Sequence, residues 1–373
     1  MKTFYHGVDL HSTNFKTHFI EEENDSNIKR GSSTIYNCEI EKKFIPMLTK
    51  NDYICLEAST GAFQFAKIVK PYVKDVIVIN PFDFKSLYMS GKKTDKIDAK
   101  KLSERLYTHI QSRKLGFEDT FPGIYVPEDH IIELRGLFST YETLKKQTTG
   151  LKNRVHSIIK QNLITYDSKN LHKSVNKILT EKKLKPVYEF QIQLLLNQIN
   201  NLNNDIIKIE NEIKKITYTY HKEEILILIS IMGISFFTAC AIMSDIADIK
   251  RFKNSKKLCS YLRAGMRVDS SNEKTHIGKI NKKSRKLAFK MILQGLQHIV
   301  RYNHNYYEFK ERKLKGKSNG KVRCALVRKT IVAIFYMLKN KERWKYSTEN
   351  KYKEKLSLIN CELKKLNFEK IRA

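Results

Sequence analysis

Two apolar, strand-like segments near the start of the chain each end in an acidic residue, and this pattern limits the folds open to the sequence. Asp9 follows the apolar residues of YHGVDLHS, and Glu57 follows those of YICLEASTG. A carboxylate is costly to bury, so an acid at the end of an apolar strand predicts a side chain directed into a cleft. Residues 58–61 are small and predict a turn directly after Glu57. The sequence therefore predicts a sheet whose strand ends carry carboxylates.

A second acidic pair, Asp95 and Asp98, lies in KTDKIDAKK. If a helix begins at Thr94 as its N-cap, the two side chains share one face, about 5–6 Å apart at Cβ. Like charges this close repel, and a divalent cation relieves the repulsion. The alternative is a solvated first helical turn, where acids suit the helix dipole. Together with Asp9 and Glu57, the pair predicts a two-metal Mg²⁺ site suited to phosphodiester chemistry.

The charge of the chain is strongly positive and unevenly distributed. The 70 Lys and Arg residues exceed the 39 Asp and Glu residues, for a net charge of +31. Residues 245–373 hold 35 of the basic and 11 of the acidic residues, and residues 274–329 hold 17 and 2. A block of one sign repels itself unless a polyanion lies against it. Nucleic acid is the expected partner, with binding that weakens steeply as salt rises.

The first part of the chain, residues 1–115, is predicted to be an α/β domain. We predict strands at residues 4–9, 15–20, 33–40, 53–57 and 76–79, with the second and third forming a hairpin. Helices are predicted at residues 62–73 and 96–110. Three antiparallel strands followed by alternating helix and strand is the order expected of a ribonuclease-H-like domain.

Residues 128–222 are predicted to be helical and to contain a coiled coil. Apolar residues alternate in steps of three and four over more than three heptads: Ile192, Leu195, Ile199, Leu202, Ile206, Ile209, Ile213 and Ile216. Such a seam needs a partner helix. The candidates are the earlier helix around residues 144–163 and a second subunit, and both remain open.

Residues 223–345 are predicted to form a further helical domain with two elements of interest. The first is a turn at Gly233 between two short helices, which either presents backbone N–H groups to phosphate or forms a buried helical hairpin. The second is a predicted loop that contains Ser270 and Ser271 and is flanked by Arg267, Lys274 and Lys279. Residues 346–373 form a basic extension with no assigned role.

The sequence contains no convincing membrane segment or metal-binding cysteine motif. The longest apolar stretch, residues 225–243, is interrupted by small and polar residues, and no signal-like segment is evident. The six cysteines lack a CxxC pattern and are predicted to be buried, reduced thiols. We expect a cytoplasmic, nucleoid-associated protein that does not bind membranes.

Several motifs, in order along nearly the whole chain, resemble one family. They are GVDLHS, LEASTG, Asn80-Pro81, KTDKIDA, Leu134-Arg135, Asn153-Arg154, IMGIS and AGMRVDSSNEKTHIGKINKKS. The chain resembles the DEDD transposases of the insertion-sequence one-hundred-and-ten group, which are related to the Piv invertases and are also called bridge recombinases. It departs from the family at Asn272-Glu273, where glycines are usual, and at Ser235 in the turn.

This resemblance implies a RuvC-like N-terminal domain, a coiled-coil linker and a C-terminal transposase domain. Asp9, Glu57, Asp95 and Asp98 would be the metal-binding acids, and Ser271 would attack DNA to form a phosphoserine intermediate, with Ser270 as the alternative. It also implies a structured bridge RNA as guide and a homo-oligomer, a dimer or tetramer. Phosphate contacts are expected from a set of basic residues: Arg154, Arg267, Lys274, Lys279, Lys282, Lys283 and Arg285.

Two other functions are compatible with the same residues. A metal-dependent, structure-selective nuclease would use water as the nucleophile and leave both serines without a catalytic role. A non-catalytic nucleic-acid scaffold would need neither the acids nor the serines.

Overall fold

The computed structural model describes residues 2–23, 27–81, 95–119, 121–181, 183–271, 274–280 and 284–368. The chain divides into two compact units, Met1–Glu128 and Asp129–Ala373. The first unit is mixed α/β and the second is predominantly helical, as expected from the sequence. No described helix combines the length and apolar character needed to cross a membrane.

The first unit is built on a six-stranded sheet with strand order β3-β2-β1-β4-β5-β6. Strands β1, β4 and β5 are parallel to one another, whereas β2, β3 and β6 are antiparallel to their neighbours. The sheet strands are β1 (Lys2–Leu10), β2 (Asn14–Glu23), β3 (Asn27–Tyr36), β4 (Tyr53–Glu57), β5 (Asp75–Ile79) and β6 (Gly123–Ile124). All five predicted strands are present, and β6 is an addition.

Among the described elements, an α-helix covers each face of this sheet. Alternate residues of β4 divide between two cores because successive side chains point to opposite faces. Ile54 and Leu56 pack with Phe65 of helix α1 (Ala62–Val69), whereas Cys55 packs with Leu102 of helix α2 (Asp95–Lys114).

The predicted bounds of two elements in this unit were wrong. Strand β3 runs from Asn27 to Tyr36 rather than over residues 33–40, and short helical turns follow over residues 37–47. Asn37 donates side-chain hydrogen bonds to the carbonyls of His11 and Ser12, which favours a turn at this point. Helix α1 ends at Val69 because Pro71 cannot donate a backbone hydrogen bond to continue it. Thr94, the predicted N-cap of α2, lies outside the described residues.

The second unit contains ten described helices and one β-hairpin. The helices are α3 (Asp129–Gln161), α4 (Leu171–Thr180), α5 (Pro186–Tyr220), α6 (Lys222–Ile229), α7 (Phe236–Ile246), α8 (Ser255–Tyr261), α9 (Leu287–Arg301), α10 (His304–Leu314), α11 (Asn319–Asn340) and α12 (Glu349–Lys365). The hairpin, β7 (Met266–Ser271) and β8 (Lys274–Ile280), lies between α8 and α9.

The apolar seam of α5 finds its partner within the same chain. Ile192 and Ile199 near the start of α5 pack with Val155 and Ile158 near the end of α3. Ile213, near the end of α5, belongs to the core that contains the start of α3. The two long helices are therefore antiparallel. The earlier helix, one of the two candidate partners, is in contact with the seam, and a second subunit remains a prediction.

The turn at Gly233 joins α6 to α7 and is a packing element. Gly233 has φ 103°, a left-handed conformation that favours glycine. A Cβ atom at Gly233 would lie 2.8 Å from the carbonyl oxygen of Gly295 in α9, and one at Gly295 would lie 2.2 Å from the Gly233 carbonyl oxygen. Ile231 and Ile234 on either side are buried. These contacts favour the buried helical hairpin over a phosphate-binding turn.

The six cysteines are free thiols. Cys55, Cys240 and Cys259 are buried, as predicted. Cys38 and Cys361 are exposed, so the prediction of burial was wrong for them. Cys361 faces solvent because it lies on α12 between the buried positions Ile359 and Leu363.

Helix α12 is part of the core of the second unit, although no role was predicted for this segment. Tyr352, Leu356 and Ile359 are buried against the other helices. Lys355 Nζ donates to the carbonyl oxygens of Ile229, at 2.6 Å, and Ile231, at 2.8 Å. A lysine at this position satisfies carbonyl groups that the end of α6 leaves without a helical partner.

Burial lowers the pKa of Lys355 to about 7, so we predict that the stability of the second unit rises with pH above neutrality. Between about pH 7 and the unfolded-state pKa near 10.5, the unfolded chain binds the extra proton, and the free energy of unfolding increases with pH. The increase from pH 6 to pH 9 should reach about 2–3 kcal/mol. The single tryptophan, Trp344, is buried in this unit, and its fluorescence during urea unfolding measures the change.

Lys355→Met is the matched control for this prediction because it keeps the length of the side chain without a titrating group. The difference in pH dependence between the two proteins isolates Lys355 from the histidines. Equal pH dependence of the parent and the variant would contradict the prediction.

Candidate active site

Asp9 and Glu57 lie at the adjacent ends of two parallel strands. Val8 of β1 pairs with Leu56 of β4, and each acid is the next residue of its strand. Because Val8 and Leu56 both face the core that contains α1, the following residues face the opposite side, which α2 covers. Both acids are partly buried. The backbone therefore directs the two carboxylates to the same face of the sheet.

The N-terminal turn of α2 lies against this end of the sheet because of Gly7. A Cβ atom at Gly7 would lie 2.1 Å from the carbonyl oxygen of Ala99 and 2.4 Å from the backbone nitrogen of Ser103. Tyr5, two residues earlier in β1, contacts Tyr107 further along the helix. Strand β1 and helix α2 thus run in opposite directions. Asp9, two residues beyond Gly7 in the strand, therefore lies toward the helical turn that contains Asp98.

Polar networks hold the C-terminal half of α2. Arg105 makes two hydrogen bonds of 2.6 Å with Asp119, and His109 Nδ1 lies 2.9 Å from the same carboxylate. The hydrogen bond from Arg105 lowers the pKa of Asp119 to about 2. At the end of α2, Lys114 Nζ donates a 3.0 Å hydrogen bond to Glu22 of β2. These bonds limit the freedom of α2 to slide along the sheet.

The described side chains at this site are acidic, but they do not form a cluster of metal ligands. Among the side chains that the structure describes, no three His, Cys, Asp or Glu residues form a metal-binding group. The Asp95 side chain lies outside the described residues, whereas Asp98 is partly buried in α2. As a donor set, carboxylate oxygens match the preference of Mg²⁺ for hard ligands. The chemistry of the residues fits the predicted ion.

His11 is a neighbour of the acids that the sequence analysis did not select. Its Nε2 lies 3.3 Å from an Asp9 carboxylate oxygen. The signal was available in the sequence, because residues 9 and 11 are two apart and share one side of an extended chain. A histidine here can hold Asp9 in position or exchange a proton with it.

Ser270 and Ser271 lie in β7, so the prediction of an irregular loop was wrong. The hairpin pairs Ser270 with Thr275 and Ser271 with Lys274. Cross-strand backbone bonds form here although the residues are mostly polar, and Val268 pairs with Ile277 nearer the base. Ser271 is the last residue of its strand, next to the connection between β7 and β8.

The predicted phosphate-binding residues fall in several places. Arg267, Lys274 and Lys279 lie on the hairpin backbone, and their side chains are outside the described part. Lys282 and Lys283 also lie outside the described residues. Arg154 is exposed on α3.

Arg285 contacts a buried acid, Asp245, near the base of the hairpin. Asp245 is 1% exposed and accepts 2.6 Å and 2.9 Å hydrogen bonds from Arg285 Nε and the Ala288 backbone N–H. Arg135 and Arg251 donate to carbonyls at the C-terminal end of α7. Burial, followed by repulsion from Arg285, lowers the pKa of Arg135 to about 10. Asp245 thus anchors the start of α9, to which the hairpin leads.

A cavity of about 540 Å³ borders the Arg105–Asp119 pair in the first unit, and one of about 470 Å³ borders Asp245 in the second. The second cavity is lined by Arg135, Ser139, Glu142, Ser284, Arg285 and Lys286. Glu142 pairs with Lys290 at 3.0 Å. Basic groups outnumber acidic ones around this cavity, which suits an anionic ligand.

We predict that Gly7→Ala displaces α2 from the sheet, because the new methyl group meets backbone atoms that cannot rotate away. The free energy of unfolding of the first unit should fall by at least about 2 kcal/mol. Hydrogen exchange of peptides from β1 and α2 measures the change. The control is Gly150→Ala on α3, because no neighbouring atom lies within 4 Å of the added Cβ atom. This variant should stabilise its helix by about 0.5–1 kcal/mol. Unchanged exchange in Gly7→Ala would contradict the packing argument.

A comparison with models of protein families gives a match in the second unit. Residues 226–313 match the family model described as the transposase IS116/IS110/IS902 family. The matched stretch is 88 of the 373 residues, and it runs from α6 into α10 and includes both hairpin serines. No curated protein matches the chain. The similarity supports a DNA transposase of an insertion sequence, and with it an enzyme that binds DNA.

Proposed function

We propose that the chain is an insertion-sequence transposase that cuts and joins DNA through Ser271 with the help of the acidic site. The role proposed for the acids is supported by the arrangement of Asp9, Glu57 and α2 at one end of the sheet. The role proposed for Ser271 is supported by the family match, which covers the hairpin. The strand order of the first unit agrees with a RuvC-like, ribonuclease-H-like domain.

In the cleavage step, Ser271 Oγ forms a bond to phosphorus while the bond from phosphorus to one sugar oxygen breaks. That oxygen takes up a proton, and the serine hydroxyl loses one. In the joining step a sugar hydroxyl of another strand attacks the same phosphorus, and the serine oxygen leaves and regains its proton. The number of phosphodiester bonds is conserved, so the exchange needs no external energy source.

Asp9, Glu57, Asp95 and Asp98 would hold Mg²⁺, which when bound lowers the cost of deprotonating a nucleophile and stabilises a leaving oxygen. Serine is a weak nucleophile at its own pKa, so a nearby base or cation is required. Lys274, which pairs with Ser271 in the hairpin register, is a candidate for this role. Basic groups such as Arg285 would offset charge on the phosphate.

The same proposal includes a structured bridge RNA that pairs with target and donor DNA, and a dimer or tetramer in which acids and serine come from different subunits. The family resemblance supports both features. The excess of basic residues agrees with two polyanionic partners.

We predict that Ser271→Ala abolishes strand exchange and the covalent protein–DNA adduct. Denaturing gels of end-labelled donor and target DNA, incubated with the RNA transcribed from the flanks of the gene, measure both products. Ser270→Ala is the control and should keep activity within about tenfold, since its hydroxyl does not attack. Cleavage by Ser271→Ala without a covalent adduct would identify a nuclease with water as the nucleophile, whereas a persisting adduct would assign the attack to Ser270.

We predict that Asp9→Asn removes Mg²⁺-dependent cleavage and weakens Mn²⁺ binding, measured by titration, by at least about tenfold. The control is Glu104→Gln, because Glu104 lies partly exposed on α2 and makes a 3.8 Å surface contact with Lys100. This variant should bind Mn²⁺ as the parent does. DNA processing that persists in Asp9→Asn would remove the acids from the mechanism.

A further inference from the structure

The second unit carries an aromatic and basic surface that the proposed chemistry does not use. It lies where α9 ends and α10 begins, and the chain between α11 and α12 covers its edge. Residues 301–353, which span these elements, contain 16 basic and 4 acidic residues. The Tyr–Lys surface, as we call it, consists of Tyr302, Asn305, Lys329, Lys345, Tyr346 and Lys351.

Two tyrosine rings are exposed on this surface. Tyr302 is 43% exposed and Tyr346 is 39% exposed. Asn305 Nδ2 donates a 2.8 Å hydrogen bond to Tyr346 Oη, and Asn305 is three residues after Tyr302. Both rings therefore belong to the same end of α10. The exposure of two large aromatic side chains here, on a unit that buries most of its apolar residues, needs an explanation.

The Tyr346 ring and the backbone beside Tyr302 are held in place by neighbouring groups. Tyr346 lies 5.2 Å from the ring of Trp344, which is buried, and Trp344 N donates to Ser230 Oγ at 2.8 Å. Next to Tyr302, Asn303 is the N-cap of α10 and accepts a hydrogen bond from the Tyr306 backbone. A ring fixed in this way loses little conformational freedom when a ligand stacks on it.

Cationic groups lie directly beside the rings. The Lys351 ammonium is 4.6 Å from the Tyr302 ring centroid, and the Lys345 ammonium is 4.8 Å from that of Tyr346. Lys329 lies 5.0 Å from the ring of buried Tyr306, and it also contributes to the lowered pKa of Tyr346, after the hydrogen bonds from Lys345 and Asn305. Lysine ammonium groups and tyrosine rings therefore lie within about 5 Å of one another on this surface.

The neighbouring acids are engaged by other groups. Glu308 pairs with His304 at 3.0 Å, Glu311 with Lys310 at 3.2 Å, and Glu349 with Arg343 at 3.7 Å. The Tyr–Lys surface itself contains no acidic residue. Its field is therefore positive.

We propose that the Tyr–Lys surface binds single-stranded nucleic acid, with unpaired bases stacked on Tyr302 and Tyr346 and phosphates contacted by Lys329, Lys345 and Lys351. A duplex would use the lysines but not the rings, because its bases already stack on one another. An unpaired base presents a free face to each ring, and such stacking tolerates any base. The ligand is an unpaired strand of either RNA or displaced DNA, and both offer the same stacking and phosphate chemistry.

The test is binding of the full chain to fluorescently labelled (dT)20, (U)20 and a 20-base-pair duplex, measured by anisotropy in EDTA. Stacking on one ring contributes about 1–3 kcal/mol, so Tyr302→Ala and Tyr346→Ala should each weaken single-strand binding by about five- to hundredfold. Tyr302→Phe and Tyr346→Phe keep the ring and should stay within twofold of the parent. Duplex affinity should also stay within twofold in all four variants.

Tyr72→Ala, in the first unit, is the matched control because Tyr72 is also 43% exposed. It should leave single-strand binding unchanged. A larger loss for (U)20 than for (dT)20 would support RNA as the bound strand, and the reverse would support DNA. The assay needs neither metal nor cleavage, so failure of the proposed catalytic chemistry would not affect it.

Two results would overturn the proposal. One is single-strand affinity within twofold of the parent in both alanine variants, with native Trp344 fluorescence. The other is an equal loss for single strand and duplex, which would indicate a general electrostatic surface without stacking. A Tyr346→Phe variant as weak as Tyr346→Ala would also exclude stacking at that ring, because Phe removes only the hydrogen bond to Asn305.

Discussion

The close approach of strand β1 to helix α2 at Gly7 determines the geometry of the acidic site. Any side chain larger than hydrogen at this position would meet backbone atoms of α2. The contact sets the height of the helix on the sheet, and the Arg105–Asp119 and Lys114–Glu22 bonds keep it there. The pairing of β1 with β4 brings Asp9 and Glu57 together, and the Gly7 contact places Asp98 on the helix above them.

Much of the first unit could be predicted because its signals are local. Strands β1, β2, β4 and β5 follow alternating or continuous apolar runs, and Asp9 and Glu57 interrupt those runs where the strands end. The β7–β8 hairpin could not be found in this way. Its sequence around Ser270 and Ser271 is polar, and it is stabilised by cross-strand backbone pairing that leaves no hydrophobic pattern. Polar strands and loops look alike in a single sequence.

Charged residues with structural roles were also missed, because a sequence shows the charge but not its partner. Asp245 ends an apolar helix and anchors α9, so Arg285 serves the fold as well as any phosphate. Lys355 belongs to a lysine-rich segment that reads as a solvated tail, yet its ammonium satisfies two carbonyls beside the Gly233 turn. In both cases the partner is distant in sequence, and only the folded chain reveals it.

The antiparallel pair α3 and α5 connects two hydrophobic clusters of the second unit. Helix α3 has 33 residues and is therefore about 50 Å long. Arg135 lies near one end of it, and Arg154, 19 residues further on, is about 28 Å away along the axis. A tilt of about 10° at the Arg135 end would sweep the far end through about 9 Å, roughly three base-pair steps of duplex DNA. Because Arg135 bonds to the carbonyls of Ser244 and Asp245, a small rearrangement there would produce a larger displacement at Arg154.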